Sequence, residues 1–132
     1  MQYKPKINAS YINESSYPVQ ACDFIIENVD LEDMRIYNEY NYGSYLIFRG
    51  IPVFIDSRAD LYTPEFNKDV NVFQDFINVS NINAYYETIF EKYDITHVLV
   101  YKNAKLNMFL TRDDNYKKLY SDDNFYFYER LS

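Results

Sequence analysis

Apolar positions first line up at Val19, Cys22, Ile25 and Ile26, behind Ser16 and Pro18 and ahead of Asn28 and Asp30. Spacing of three and four residues, entered beside a proline and broken by Asn and Asp, predicts a helix. Met34 to Tyr40 reads as a strand, and Tyr42 to Phe48 as a short helix stopped by Gly50. Val53-Phe54-Ile55, running into Asp56, is uninterruptedly apolar. That is the pattern of a strand buried on both faces inside a parallel sheet. Phe73, Phe76 and Ile77 mark one helix, and Tyr85, Tyr86, Ile89, Phe90 and Tyr93 another, with Asn78 to Asn83 between them. His97 to Tyr101 is a further strand, and Leu106, Met108, Phe109 and Leu110 fit a short helix. Lys117–Tyr120 and Phe125–Glu129 flank Asp122-Asp123-Asn124 as a closing hairpin.

Residues 1–16 are polar and irregular and read as a lead-in. Residues 17–132 form one domain, since a chain of 132 residues has the size of a single hydrophobic core. Strands alternate with helices until the last two, which predicts an α/β fold: three layers, a mainly parallel sheet, and the C-terminal antiparallel hairpin at its edge. Residues 57–68 form a polar loop too long and too charged for a plain connection.

Composition narrows the functional classes. The formal charge of -7, from 13 basic and 20 acidic residues, argues against a nucleic-acid partner, whose phosphates need a lysine and arginine surplus. No run approaches the roughly 20 apolar residues that span a bilayer, and the first residues carry no signal-peptide pattern. Cys22, the single cysteine, has no partner for an internal disulfide and falls on an apolar helix face, so it reads as a buried thiol. With 16 Tyr and 10 Phe, apolar material is ample, but many hydroxyls must be bonded or stay wet.

The densest candidate chemistry is Asp56-Ser57-Arg58-Ala59-Asp60-Leu61-Tyr62, which leaves the carboxyl end of an expected buried strand. Open α/β sheets place their ligand crevice there. Asp56 and Asp60 can share a divalent cation while Arg58 grips a phosphate; equally, Arg58 can bridge the two acids and tie the loop to the sheet. Asn38-Glu39-Tyr40-Asn41-Tyr42-Gly43 ends the preceding strand, where Asn38 or Asn41 is placed to cap the short helix and Gly43 to make a tight turn. Three set glycines are needed for a dinucleotide fingerprint, and only Gly43 is present. His97 has no second histidine for a metal pair and reads as a hydrogen-bonded structural residue. The expected crevice is therefore Asn38, Asn41, Tyr42 and Gly43 facing Asp56, Arg58, Asp60 and Tyr62, with no catalytic residue, metal or cofactor assigned. The run Phe125-Tyr126-Phe127-Tyr128 fits a half-buried edge strand.

Tyr-Asn-Glu-Tyr-Asn-Tyr-Gly-Ser-Tyr-Leu-Ile-Phe at 37–48, followed by Val-Phe-Ile-Asp-Ser-Arg-Ala-Asp-Leu-Tyr at 53–62, resembles the C-terminal soluble region of bacterial multi-spanning proteins related to dolichyl-phosphate-mannose-type glycosyltransferases. Together with Lys92–Val98 and the Asp122-Asp123-Asn124-Phe125 hairpin, the resemblance extends over residues 18–131. Gly43-Ser44 stands where that family often has paired glycines, and Ser57 where it often has Gly. The resemblance implies a membrane-embedded transferase using a lipid-linked sugar, its catalytic acids in an early loop outside this chain. It further implies that this domain is a non-catalytic tail on the extracytoplasmic side of the cell membrane. Its partner would be a glycan acceptor or the membrane part of the same protein. The alternative from the residues alone is a free-standing small enzyme on a phosphorylated or nucleotide substrate, with Mg²⁺ at Asp56 and Asp60.

Overall fold

A computed structural model describes residues 17–54, 72–82 and 85–131. In chain order the elements are α1 (Val19–Asn28), β1 (Ile36–Tyr37), a 3-10 turn (Tyr40–Tyr42), α2 (Gly43–Phe48), α3 (Val72–Ser80), α4 (Tyr86–Lys92), β2 (His97–Tyr101), α5 (Lys105–Leu110), β3 (Tyr116–Ser121) and β4 (Phe125–Arg130). The fold is mixed α/β, with one four-stranded sheet in the order β1-β2-β4-β3.

The sheet corrects the expectation of a mainly parallel arrangement. β1 runs parallel to β2, with Ile36 opposite His97 and Tyr37 opposite Val98, whereas β4 is antiparallel to both β2 and β3. The hairpin lies at one side of the sheet as expected, but β4 sits inside and β3 takes the edge. Phe125, Phe127 and Tyr128 are all buried, so β4 is not the half-buried edge strand that its alternation predicts. Tyrosine causes the misreading, because its ring fills a core while its hydroxyl finds a partner: the Tyr128 hydroxyl donates to Asn107 Oδ1 at 2.6 Å. Asn107, itself buried, passes the bond on from its amide to the Lys102 carbonyl at 3.0 Å.

Side chains alternate across the sheet with the period of two that strand geometry imposes. Val98, Val100, Tyr37 and Tyr128 join Phe76 and Val79 of α3, Phe90 of α4 and Leu110 of α5 in one apolar cluster. Leu99, Ile36, Phe125 and Phe127 join Ala21, Cys22 and Ile25 of α1 and Leu46 of α2 in the other. The helices bury part of the stripe their periodicity marks, while Ile26 of α1, Tyr85 before α4, and Met108 and Phe109 of α5 face outward.

Two expected strands change. Met34 to Tyr40 shortens to Ile36–Tyr37, because the Arg35 amide is taken by Thr96 Oγ1 at 2.9 Å and the chain turns after Asn38. Val53 and Phe54 are not in a strand, since the Phe54 amide donates to the Asn38 side chain at 2.7 Å in place of a sheet ladder. The third residue of that expected strand, Ile55, lies outside the described residues, as do the 57–68 loop and the lead-in at 1–16. Gly50 ends α2 with φ +80, its amide bonded back to the Ile47 carbonyl at 2.9 Å.

Candidate functional site

Parallel strands carry their carboxyl ends to the same side of a sheet, and in open α/β folds the ligand crevice opens there. β1 and β2 are the parallel pair. Immediately beyond β1 the chain presents Asn38 and Glu39 and enters the 3-10 turn, while α5 starts four residues after β2 ends.

Four of the expected crevice residues are described. Asn38 is fully buried: its Oδ1 accepts from the Phe54 amide at 2.7 Å and its Nδ2 donates to the Glu39 carbonyl at 2.9 Å. It therefore ties the strand end to the following segment and does not cap a helix. Asn41 is exposed within the 3-10 turn, and the N-cap position of that turn belongs to Glu39. Gly43 has φ -58 and ψ -39, an ordinary helical conformation, so the tight turn expected there is absent. Tyr42 is fully buried, edge-on to the rings of Tyr101 and Phe125. The other four, Asp56, Arg58, Asp60 and Tyr62, lie outside the described residues.

Glu39, which pattern reading left out of the site, is its electrostatic centre. Its Oε1 accepts from the Tyr101 amide at 2.7 Å and lies 2.8 Å from the Tyr42 hydroxyl, and the Glu39 amide approaches that hydroxyl at 3.3 Å. The same hydroxyl lies 2.7 Å from the Leu99 carbonyl. Tyrosine has one proton and here two acceptors. Burial raises the Glu39 carboxyl to about 7, against the opposing pull of its hydrogen bonds with Tyr101 and Tyr42. Burial, with Glu39 adding to it, also holds the Tyr42 hydroxyl well above its usual range.

Glu39 faces a cleft of about 180 Å³ that Ser80 and Asn81 close from the end of α3 and Lys105 from the first turn of α5. Val100 and Leu106 give it an apolar wall. On its floor the Tyr37 hydroxyl and Ser80 Oγ are 3.3 Å apart. The Glu39 side chain also receives the Tyr42 backbone amide in the capping box of the 3-10 turn, and among the described residues the Lys105 ammonium meets no carboxylate. Glu39 carried a sequence signal, being an acid two residues past the end of a short apolar strand. Ser80, Asn81 and Lys105 carried none, because packing of distant segments brings them there.

No family model, curated protein or solved structure matches this chain.

The remaining candidates take structural places. His97 Nδ1 is 2.8 Å from Thr96 Oγ1 and its ring stacks on Phe127 at 5.3 Å, while burial lowers its pKa. Cys22 is a buried free thiol, pushed up to about 12 by burial. No group of three or more His, Cys, Asp or Glu placed to hold a metal occurs among the described residues. No helix among them is long and apolar enough to cross a membrane. Away from the cleft, Arg130 grips Glu87 through Nε at 3.0 Å and a second nitrogen at 2.5 Å, and the Tyr116 hydroxyl donates to the other Glu87 oxygen. Burial alone would raise the Glu87 carboxyl, yet these bonds hold it below the usual range. This network joins α4 to both strands of the terminal hairpin.

Proposed function

We propose that this chain is a non-catalytic binding domain, the extracytoplasmic tail of a membrane-embedded glycosyltransferase-like protein, which positions an acceptor or partner at the carboxyl ends of β1 and β2. The observation that carries the binding half is the cleft lined by Glu39, Ser80, Asn81 and Lys105 at the sheet end where such folds take ligands. Glu39 is committed through Oε1 to Tyr101 and Tyr42, which suits a fixed recognition surface better than a base that must move with a substrate. The tail half rests on the resemblance of residues 37–48 and 53–62 to the glycosyltransferase-related proteins. Apolar clusters built from α1 and α2 on one side and α3, α4 and α5 on the other support a three-layer packing.

The test is an immunoblot of native cells with an antibody to this domain, after fractionation and with protease added outside protoplasts. A large membrane-bound band trimmed by the protease is the expected result. A protected cytosolic band of 16.0 kDa would overturn the tail reading and turn attention to the Mg²⁺-dependent enzyme, with Asp56 and Asp60 as its metal ligands.

A further inference from the structure

The cleft at the end of the parallel pair holds one acid and one base with unequal commitments. Glu39 Oε1 already takes the Tyr101 amide and the Tyr42 hydroxyl, so the carboxyl has Oε2 left to offer. The Glu39 side chain also receives the Tyr42 backbone amide in the capping box and is mostly buried, and each carboxylate oxygen has two lone pairs, so Oε2 can still accept a donor. Lys105 is exposed at the opposite lining element, α5, and its ammonium has no carboxylate within salt-bridge reach among the described residues. Between them lie the Ser80 hydroxyl, the Asn81 side chain and the apolar Val100 and Leu106. The cleft volume of about 180 Å³ matches roughly six water molecules at about 30 Å³ each, the size of a ligand with a few heavy atoms.

We propose that this cleft binds a small zwitterion of amino-acid class, its ammonium donating to Glu39 Oε2 and its carboxylate received by Lys105 and the Ser80 hydroxyl. A phosphate dianion would meet the Glu39 carboxyl, and a divalent cation would meet the Lys105 ammonium, so either faces one like charge across the cleft. A zwitterion complements both. Small apolar side chains fit against Val100 and Leu106. This inference deepens the binding reading given above and does not depend on membrane attachment.

The site carries a proton linkage. The titratable groups facing Glu39 are Tyr37 on β1, Tyr42 in the 3-10 turn, Tyr101 on β2 and Lys105 on α5; α3 contributes Ser80 and Asn81, which do not titrate. The three phenols are all pushed upward by burial and stay neutral near pH 7. An incoming ammonium selects ionised Glu39, so binding at pH 6 expels a proton and is weaker than at pH 8.

The experiment is a two-dimensional amide NMR titration of the full chain with L-alanine, methylammonium, acetate and glycerol in turn. Saturable L-alanine shifts at Glu39, Asn81 and Lys105 are expected, with methylammonium and acetate at least tenfold weaker and glycerol silent. Glu39→Gln and Lys105→Met should each lower the L-alanine affinity tenfold or more while leaving distant amides in place. The wild-type affinity should fall about tenfold from pH 8 to pH 6, and that of Glu39→Gln should not change. Absence of saturable L-alanine shifts would overturn the proposal, as would acetate or glycerol binding as tightly as L-alanine. Failure here leaves the tail reading to its protease test, and a protected cytosolic band leaves L-alanine binding untouched.

Discussion

The Tyr42 hydroxyl sits 2.8 Å from Glu39 Oε1, three residues back in the chain, and reaches the Leu99 carbonyl on β2 at 2.7 Å with the same oxygen. One phenol thereby couples the protonation of a carboxyl to the register of a central strand. Tyr42→Phe keeps the ring against Tyr101 and Phe125 and removes only this link. It strands a buried strand carbonyl, so a loss of about 1–3 kcal/mol is expected in urea unfolding. The Glu39 carboxyl should also titrate at higher pH, since the Tyr42 hydrogen bond lowers it; carbon-detected NMR of the side-chain carboxyl reads this directly. An unmoved Glu39 titration would show that the two groups are not coupled.

Stability should depend on pH through the same carboxyl. Glu39 is raised in the folded state to about 7, above its unfolded value, so the folded chain holds this proton more tightly. The contribution is full below the unfolded value near 4.5 and is lost as pH rises through about 7. The maximum effect is roughly 3 kcal/mol. Urea midpoints measured from pH 5 to pH 9 should fall for the wild type and fall less for Glu39→Gln. Parallel curves for the two proteins would place the pH dependence elsewhere.

Glu87 has the opposite sign. Arg130 and Tyr116 hold its carboxyl below the usual range, so its stabilisation is present above the unfolded value and disappears as pH falls through the folded one. Arg130→Met removes the partner and leaves a partly buried carboxylate bonded only by Tyr116. A loss of about 3 kcal/mol is expected at pH 7, shrinking toward pH 3 as Glu87 protonates. Thermal unfolding of the variant across that range measures it.

Helices were legible in the chain because their apolar spacing is regular: α1 buries Cys22 and Ile25, α4 Tyr86, Ile89 and Phe90, and α5 Leu106 and Leu110, although Ile26, Tyr85, Met108 and Phe109, marked by the same pattern, stay exposed. β2 was legible as an unbroken apolar run, and the hairpin through its Asp122-Asp123-Asn124 turn, whose Asp122 Oδ1 accepts from the amides of Asn124 and Phe125. Sheet direction was not. Whether Phe125–Tyr128 lies at an edge or inside depends on tyrosines that read as polar or apolar according to whether a partner such as Asn107 is nearby. The site was half legible. Its place beyond β1 followed from topology, but Asn38 proved to be a tether for Phe54. The acid that matters, Glu39, gains its character from Tyr101, distant in sequence, and no local pattern announces such a contact.

Cys22 offers a probe of the α1–α2 side of the sheet. Its thiol is buried and pushed up to about 12, so very little thiolate is present at pH 8 and none is reachable. Iodoacetamide labelling should therefore proceed only through opening of the cluster that includes Ile25, Leu46 and Phe127. The labelling rate in increasing urea should track global unfolding measured by circular dichroism. Fast labelling in buffer alone would mean that α1 opens independently of the sheet.

Gly50 tests how α2 is stopped. It holds φ +80, a conformation that costs a side-chain-bearing residue about 1 kcal/mol. A Cβ built at this position meets no atom within 4 Å, so substitution there carries the backbone cost without a packing cost. Gly50→Ala should therefore lose about 1 kcal/mol in urea unfolding, Gly50→Asn less, since asparagine tolerates the left-handed region, and Gly50→Val more, since a β-branched residue does not. The order Asn, Ala, Val is the diagnostic. Equal losses for all three would mean that the chain relaxes out of the left-handed turn. The Gly50 amide would then leave the Ile47 carbonyl and the Ile51 amide the Leu46 carbonyl, the two bonds that now close the helix against its own last turn.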